Sequence, residues 1–208
     1  MSQITTGIRS ILSHPFIYKT VQNMLGANKV RIQCVEKYIR PFKNAKILDI
    51  GCGTADILKF LPNSVEYIGF DLNNHYINYA KNKFGNRGTF ICNDVNNQIK
   101  NLPPFDIILA TGLLHHLDDA EVNKLFTMAT NALKESGRMV TFDGCFLENQ
   151  SRVAKFIIKK DRGQNVRFPN EYKNLAETSF NHVKVNIHHD LLRIPYTHII
   201  MECSKSII

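Results

Sequence analysis

Short apolar runs and helical stripes alternate along most of this 208-residue chain. Four runs, 46–50, 65–70, 89–92 and 105–110, have the length of buried strands. After the first comes a helical pattern, Ile57, Leu58 and Leu61. A helix is predicted over 74–84, closed by Gly85 and Gly88. Asp118 followed three residues later by Glu121 has the spacing of a capping box. It opens a helix whose apolar face is Val122, Leu125, Phe126, Ala129 and Leu133. Ser136-Gly137 then turns the chain into a strand over 138–143. This alternation predicts an α/β fold, a doubly wound and mostly parallel sheet with both faces covered.

The end of the chain breaks the pattern. Residues 148–160 read as a helix carrying Phe156-Ile157-Ile158, and 159–169 are polar and irregular. A helix over 170–180 follows. Runs 183–187 and 198–203, joined through Ile194-Pro195-Tyr196, read as an antiparallel pair. The total is seven strands with an antiparallel last one. Before the first strand, 8–25 reads as one or two helices interrupted at Pro15, and 29–39 as another, stopped by Pro41. No linker or repeat divides the sequence. It is read as one domain, 1–208, with 1–40 as a helical cap and 148–169 as an insertion on the substrate side. The cap has two open readings, a cover over the ligand mouth or packing on the sheet edge.

Composition is that of an ordinary globular chain, 44% hydrophobic. No apolar run approaches the ~18 residues of a membrane span, and the first residues lack the pattern of a signal peptide. Five cysteines without paired spacing suggest reduced thiols and a cytoplasmic location. The net charge of +8 is compatible with nucleic acid or an anionic metabolite as partner. The cations are spread rather than clustered, which favours a solvated basic surface.

The stretch Ile47 to Ala55 carries the first chemistry. A strand runs into Gly51-Cys52-Gly53, a turn whose glycines let backbone come close to a ligand. Asp49, at the strand end, suits a ligand with an ammonium group better than a bare phosphate. Asp71 ends the next strand about 20 residues on, where a ribose-binding carboxylate sits in nucleotide folds. It is also placed to cap the helix that follows. In such a sheet Asp49 to Gly53, Asp71, Asp94, Ala110-Thr111 and Asp143 share the edge at which ligands bind.

Leu48-Asp49-Ile50-Gly51-Cys52-Gly53-Thr54 resembles the first motif of the class I S-adenosylmethionine (SAM)-dependent methyltransferases. Asp71, Phe90 to Val95, Phe105 to Ala110 and Leu114-His115-His116-Leu117 resemble the later motifs, in order, over roughly residues 45–145. Ala55 departs from the pattern, standing where many members have a third glycine. The resemblance implies SAM as cofactor. Asp49 and Gly51, Cys52 and Gly53 would hold its methionine part, the turn N–H groups meeting the carboxylate. Asp71 would accept the ribose hydroxyls. Asp94 and the Val95 N–H would take the adenine edge, Leu72 and Val95 its faces, with Ala110 and Thr111 beside the cofactor. Asp94 also reads as a surface turn acid.

His116 and His115 follow the fourth strand at the height of the sulfonium methyl. They read as a proton acceptor or as a packed pair. Arg162, Arg167 and Tyr172 lie in or beside the insertion and read as a grip on an acceptor anion or as a solvated loop. His188-His189 has no partner set at ligand spacing, so no metal is expected. The function expected is methyl transfer from SAM to a small-molecule acceptor, possibly anionic, by in-line displacement. The alternatives are a nucleic-acid methyltransferase and a SAM-binding protein without catalysis. The segment Ala110 to His116 lacks the Asn/Asp-Pro-Pro-aromatic motif of base-methylating enzymes, which counts against nucleic acid. The sequence gives no oligomeric state.

Overall fold

A computed structural model describes residues 26–99, 102–160 and 163–206. The helices expected over 8–25 lie outside the described residues. The strands are β1 (Lys46–Ile50), β2 (Glu66–Asp71), β3 (Thr89–Cys92), β4 (Phe105–Thr111), β5 (Leu133–Gly144), β6 (His182–His188) and β7 (His198–Ser204). They form one sheet in the order β3-β2-β1-β4-β5-β7-β6. β1 to β5 pair in parallel, and β7 runs antiparallel to both β5 and β6. The helices are α1 (Ala27–Cys34), α2 (Asn74–Phe84), α3 (Asp119–Ala132), α4 (Arg152–Lys159) and α5 (Pro169–Glu177).

The sheet is buried on both sides because alternate residues of its central strands face opposite layers. Leu48, Ile50, Ile108, Ala110 and Met139 pack with Val122, Phe126, Tyr172 and Phe180. Ile47, Ile107, Leu109, Val140 and Ile200 pack with Val30, Cys34, Tyr38 and Ile39. The expected 29–39 helix therefore covers a sheet face. Its last turn, Val35–Ile39, is a π-helix that ends at Arg40 with φ 43°. The Arg138 guanidinium clamps that end by donating to the carbonyls of Ile39 and Arg40.

Three boundaries differ from the sequence reading. The helix expected after the glycine turn is a single 3-10 turn, Asp56–Lys59. Burial would raise the Asp56 carboxyl, but the hydrogen bonds and charge of Lys83 and Lys59, with the Thr54 hydroxyl, bring it down to about 2. Ser136-Gly137 does not precede β5 but lies within it, where the register jumps from Phe105↔Leu133 to Ile107↔Arg138. The extra residues form a bulge against β4. Asn73, not Asp71, caps α2, its side chain accepting from the His75 and Tyr76 N–H groups. The capping box of Asp118 and Glu121 forms as expected.

Ala55 has φ 52°, beside Gly51 at 72° and Gly53 at 53°. The turn thus asks for a left-handed residue at three alternate positions, and the third is an alanine. Relief of left-handed strain by glycine is worth about 1–2 kcal/mol. Loss of the buried methyl costs about 0.8 kcal/mol, and the freer unfolded chain about 0.4–1 kcal/mol. These nearly cancel. Ala55→Gly is expected to change unfolding free energy by less than about 1 kcal/mol in urea titration, which explains why alanine is tolerated there.

Candidate functional site

β1 delivers Asp49 to the carboxyl-terminal edge of the sheet, where it is 1% exposed. Gly69 stands opposite it in β2, and Tyr67 lies two residues back on the same face. The Tyr67 hydroxyl donates to Asp49 Oδ2 at 2.6 Å. Asp49 Oδ1 is buried with no hydrogen-bond partner among the described residues. Burial raises the carboxyl to about 7, against the Tyr67 hydrogen bond that lowers it and with the help of Asp71. A buried carboxylate oxygen lacking a donor is costly. An ammonium, or a water between the two, is the group that would satisfy it. Tyr67 was not singled out from sequence. The signal was available, since a tyrosine two residues before the small Gly69 points toward the Asp49 face.

The turn itself corrects one expectation. The Gly51 and Cys52 N–H groups both donate to the Phe70 carbonyl, at 2.8 and 2.9 Å. The Gly53 N–H donates to Asp71 Oδ2 at 2.8 Å. These three donors are engaged with the end of β2 and do not face outward for a ligand carboxylate. The glycines serve by conformation and space. A Cβ on Gly51 would press on Leu113 Cδ1 at 3.1 Å, whereas one on Gly53 would meet nothing within 4 Å. The outer side of Gly53 is open to a ligand. Cys52 is buried, and burial with the nearby Asp49 and Asp71 charges pushes its thiol well up, so it is not a nucleophile.

Asp71 is fixed by two backbone donors, Gly53 N–H on Oδ2 and Asn73 N–H on Oδ1 at 2.7 Å. Burial raises its carboxyl, and the backbone hydrogen bonds oppose this. Each oxygen keeps a second lone pair for a hydroxyl. Leu72 beside it is 51% exposed, a large apolar side chain standing in solvent. Val95 is buried. Asp94 is exposed, and its Oδ1 accepts from the Asn96 backbone and side-chain amides. It therefore holds the short 3-10 turn Val95–Asn97, as a turn acid does.

β4 ends in buried Ala110 and half-buried Thr111. The Gly112 N–H ties this end to the Phe142 carbonyl of β5. The chain then makes a 3-10 turn, Leu114–His116, in which both histidines are buried. Their rings lie 4.2 Å apart. His115 Nδ1 is 2.7 Å from Asp143 Oδ1, and the same oxygen accepts the His115 backbone N–H at 3.2 Å. Asp143, placed on this edge by the sequence pattern but given no role, thus fixes ring and backbone together. Burial raises its carboxyl, against three His115 contributions that lower it.

The insertion folds back over this turn. The Asn165 N–H donates to the His115 carbonyl at 3.0 Å. Gly163 lies so close to the His115 ring that a Cβ would clash with Cδ2 and come within 2.6 Å of the carbonyl oxygen. Arg167 is buried and spends all five N–H donors. Nε and Nη2 reach Asp119 Oδ1, Nη1 reaches the Leu114 and Asn165 carbonyls, and Nη2 also reaches the Leu117 carbonyl. No donor remains for an acceptor anion, so its expected role is corrected to a staple between insertion and histidine turn. Tyr172 is fully buried, its hydroxyl donating to the Gly144 carbonyl, and is likewise a core residue. Arg162 lies outside the described residues.

Residues 47–137 match the family model of a methyltransferase domain. Among solved structures, a TehB-like SAM-dependent methyltransferase from Corynebacterium glutamicum is 18% identical, with TM-score 0.66, 93% of this chain and 99% of that one covered. A SAM-dependent methyltransferase from Archaeoglobus fulgidus is 19% identical, with TM-score 0.71 and coverage of 91% and 100%. The mitomycin 7-O-methyltransferase MmcR is 19% identical, with TM-score 0.66 and coverage of 94% of this chain and 60% of MmcR. Among curated proteins none matches. Residues 47–137 thus match a methyltransferase domain, and the chain shares the fold of these SAM-dependent methyltransferase structures.

Two outcomes follow from these contacts. Because the Asp49 carboxyl titrates near 7, it is neutral below that value and charged above it. SAM affinity, measured by calorimetry, is expected to fall as pH drops below about 7, by up to about tenfold per unit, and Asp49→Asn removes that slope. Without cofactor the sign for folding is opposite. The raised carboxyl stabilises the fold at low pH, and that stability is lost as pH rises through about 7. Arg167→Ala strands two buried carbonyls and an ion-pair partner. It is expected to cost about 3 kcal/mol in urea unfolding, and Arg167→Lys, with three donors in place of five, about half of that.

Proposed function

We propose that this enzyme methylates a hydroxyl group of a small-molecule acceptor by in-line displacement, with His115 as the proton acceptor. The observation that carries the reading is the His115–Asp143 pair at the ends of β4 and β5. When bound, SAM supplies a methyl on a positively charged sulfur that is already a good leaving group.

Asp49 Oδ1 takes the ammonium of the cofactor, directly or through water. Asp71, held from behind by two backbone donors, accepts the ribose hydroxyls. Leu72 and Val95 cover the adenine, and Asp94 and the Val95 N–H meet its edge. Ala110 and Thr111 form the floor next to the methyl. Asp143 keeps the His115 proton on Nδ1, which leaves Nε2 as the basic nitrogen. Nε2 would take the acceptor hydroxyl proton as the oxygen gains the methyl and the methyl–sulfur bond breaks, with S-adenosylhomocysteine as the leaving group. His116 packs against the His115 ring and supports its orientation. The insertion, stapled by Arg167, walls the acceptor side. An O-methyltransferase among the similar structures supports a hydroxyl acceptor. The five free cysteines, four of them buried, support a reducing, cytoplasmic setting.

Asp71→Ala is expected to abolish measurable SAM binding while the far-ultraviolet circular dichroism stays unchanged. For the reaction, S-adenosylhomocysteine release would be followed over a panel of hydroxylated small molecules. With a responsive acceptor, His115→Gln and Asp143→Asn are each expected to lower kcat by about 10²–10⁴ and to leave SAM affinity within about twofold. Full turnover in His115→Gln would refute the base. SAM binding with no acceptor turned over would favour the non-catalytic alternative.

A further inference from the structure

α4 lies within the insertion, but none of its side chains was given a contact in the site described above. Its residues Ala154 and Ile158 are buried against the body of the protein. At about 100° per residue, Phe156 stands on the opposite side of the helix, and it is 61% exposed. Val153 beside it is 57% exposed. Arg152, Lys155, Lys159 and Lys160 are all exposed around these two side chains, and the Lys160 ammonium sits 5.7 Å over the Phe156 ring. From 149 to 160 the sequence has four cations and no acid. α4 is thus amphipathic toward the protein and amphipathic again toward solvent, with an aromatic tip inside a ring of positive charge.

We propose that this face of α4 docks on an anionic lipid surface. An aromatic and a branched aliphatic side chain enter the acyl boundary, and the surrounding ammonium and guanidinium groups meet lipid phosphates. Charge complementarity selects this occupant. An apolar protein groove would accept Phe156 and Val153 but leave four cations to be desolvated beside it. The contact proposed is peripheral and reversible, because it is made by two apolar side chains on one face of a short helix. The proposal does not depend on the reaction assigned above.

The full chain would be sedimented with vesicles of phosphatidylcholine and with vesicles containing about one third phosphatidylglycerol. Binding is expected to the anionic vesicles, with release by high salt because the charges are exposed. Phe156→Ser and the pair Lys155→Glu, Lys159→Glu are each expected to weaken it at least about tenfold. SAM affinity and thermal midpoint should not move, since none of these side chains enters the core or the cofactor site. No binding, equal binding to neutral vesicles, or full binding by either variant would overturn the proposal. So would a self-associated species, seen by sedimentation velocity, that Phe156→Ser dissolves, because the face would then belong to a second copy.

Discussion

The site hangs on three hydrogen bonds from backbone donors, two to a carbonyl and one to a side-chain carboxylate. Gly51 and Cys52 share the Phe70 carbonyl, and Gly53 donates to Asp71. Together they fold the end of β1 over the end of β2 and bring two carboxylates, Asp49 and Asp71, to one edge. The geometry needs left-handed backbone at alternate positions, which L-residues with a Cβ resist. That constraint sets the residue types of the turn more than any direct contact with a ligand. It also consumes the donors that a phosphate-cradling turn would offer outward. What this edge offers instead is negative charge, suited to a ligand whose amino-acid end carries an ammonium.

Burial then tunes that charge. Asp49 keeps one oxygen on the Tyr67 hydroxyl and one without a donor. Asp143 is also fully enclosed and meets His115 twice through one oxygen. Both carboxyls are raised by loss of water, yet each is partly offset by a specific donor. The edge is therefore preorganised around groups that an incoming cation or a protonated imidazole would stabilise. Asp71 is less enclosed and is held by two backbone donors, one on each oxygen.

Arg167 links this chemistry to the late insertion. A planar guanidinium with five donors joins the Leu114, Leu117 and Asn165 carbonyls to the exposed carboxylate of Asp119. It fixes the turn that carries His115 and pulls the insertion across it. Gly163 completes the contact because only hydrogen fits against the imidazole. In this insertion Arg167 is a structural clamp, and positive charge in a loop is not by itself an anion grip.

The sequence by itself determined the seven strands, the mostly parallel sheet with its antiparallel end, and the edge on which the acids collect. Apolar alternation, glycine punctuation and the capping box are local, and local patterns survive in one dimension. It also indicated the cofactor through motifs whose spacing is set by a strand–turn–helix unit. Only the tertiary structure decided the partnerships between distant residues. Tyr67 on Asp49 depends on the parallel register of β1 and β2, and Asp143 on His115 depends on that of β4 and β5. Arg167 and Tyr172 read as an anion grip or as part of a solvated loop, and burial against α3 and β5 made them structural. Ala55 read only as a departure from a glycine pattern, and the backbone showed that the position asks for a left-handed φ. Hydrogen-bond partners and burial are set by which elements meet, and that information is distributed over the whole chain rather than written near any one residue.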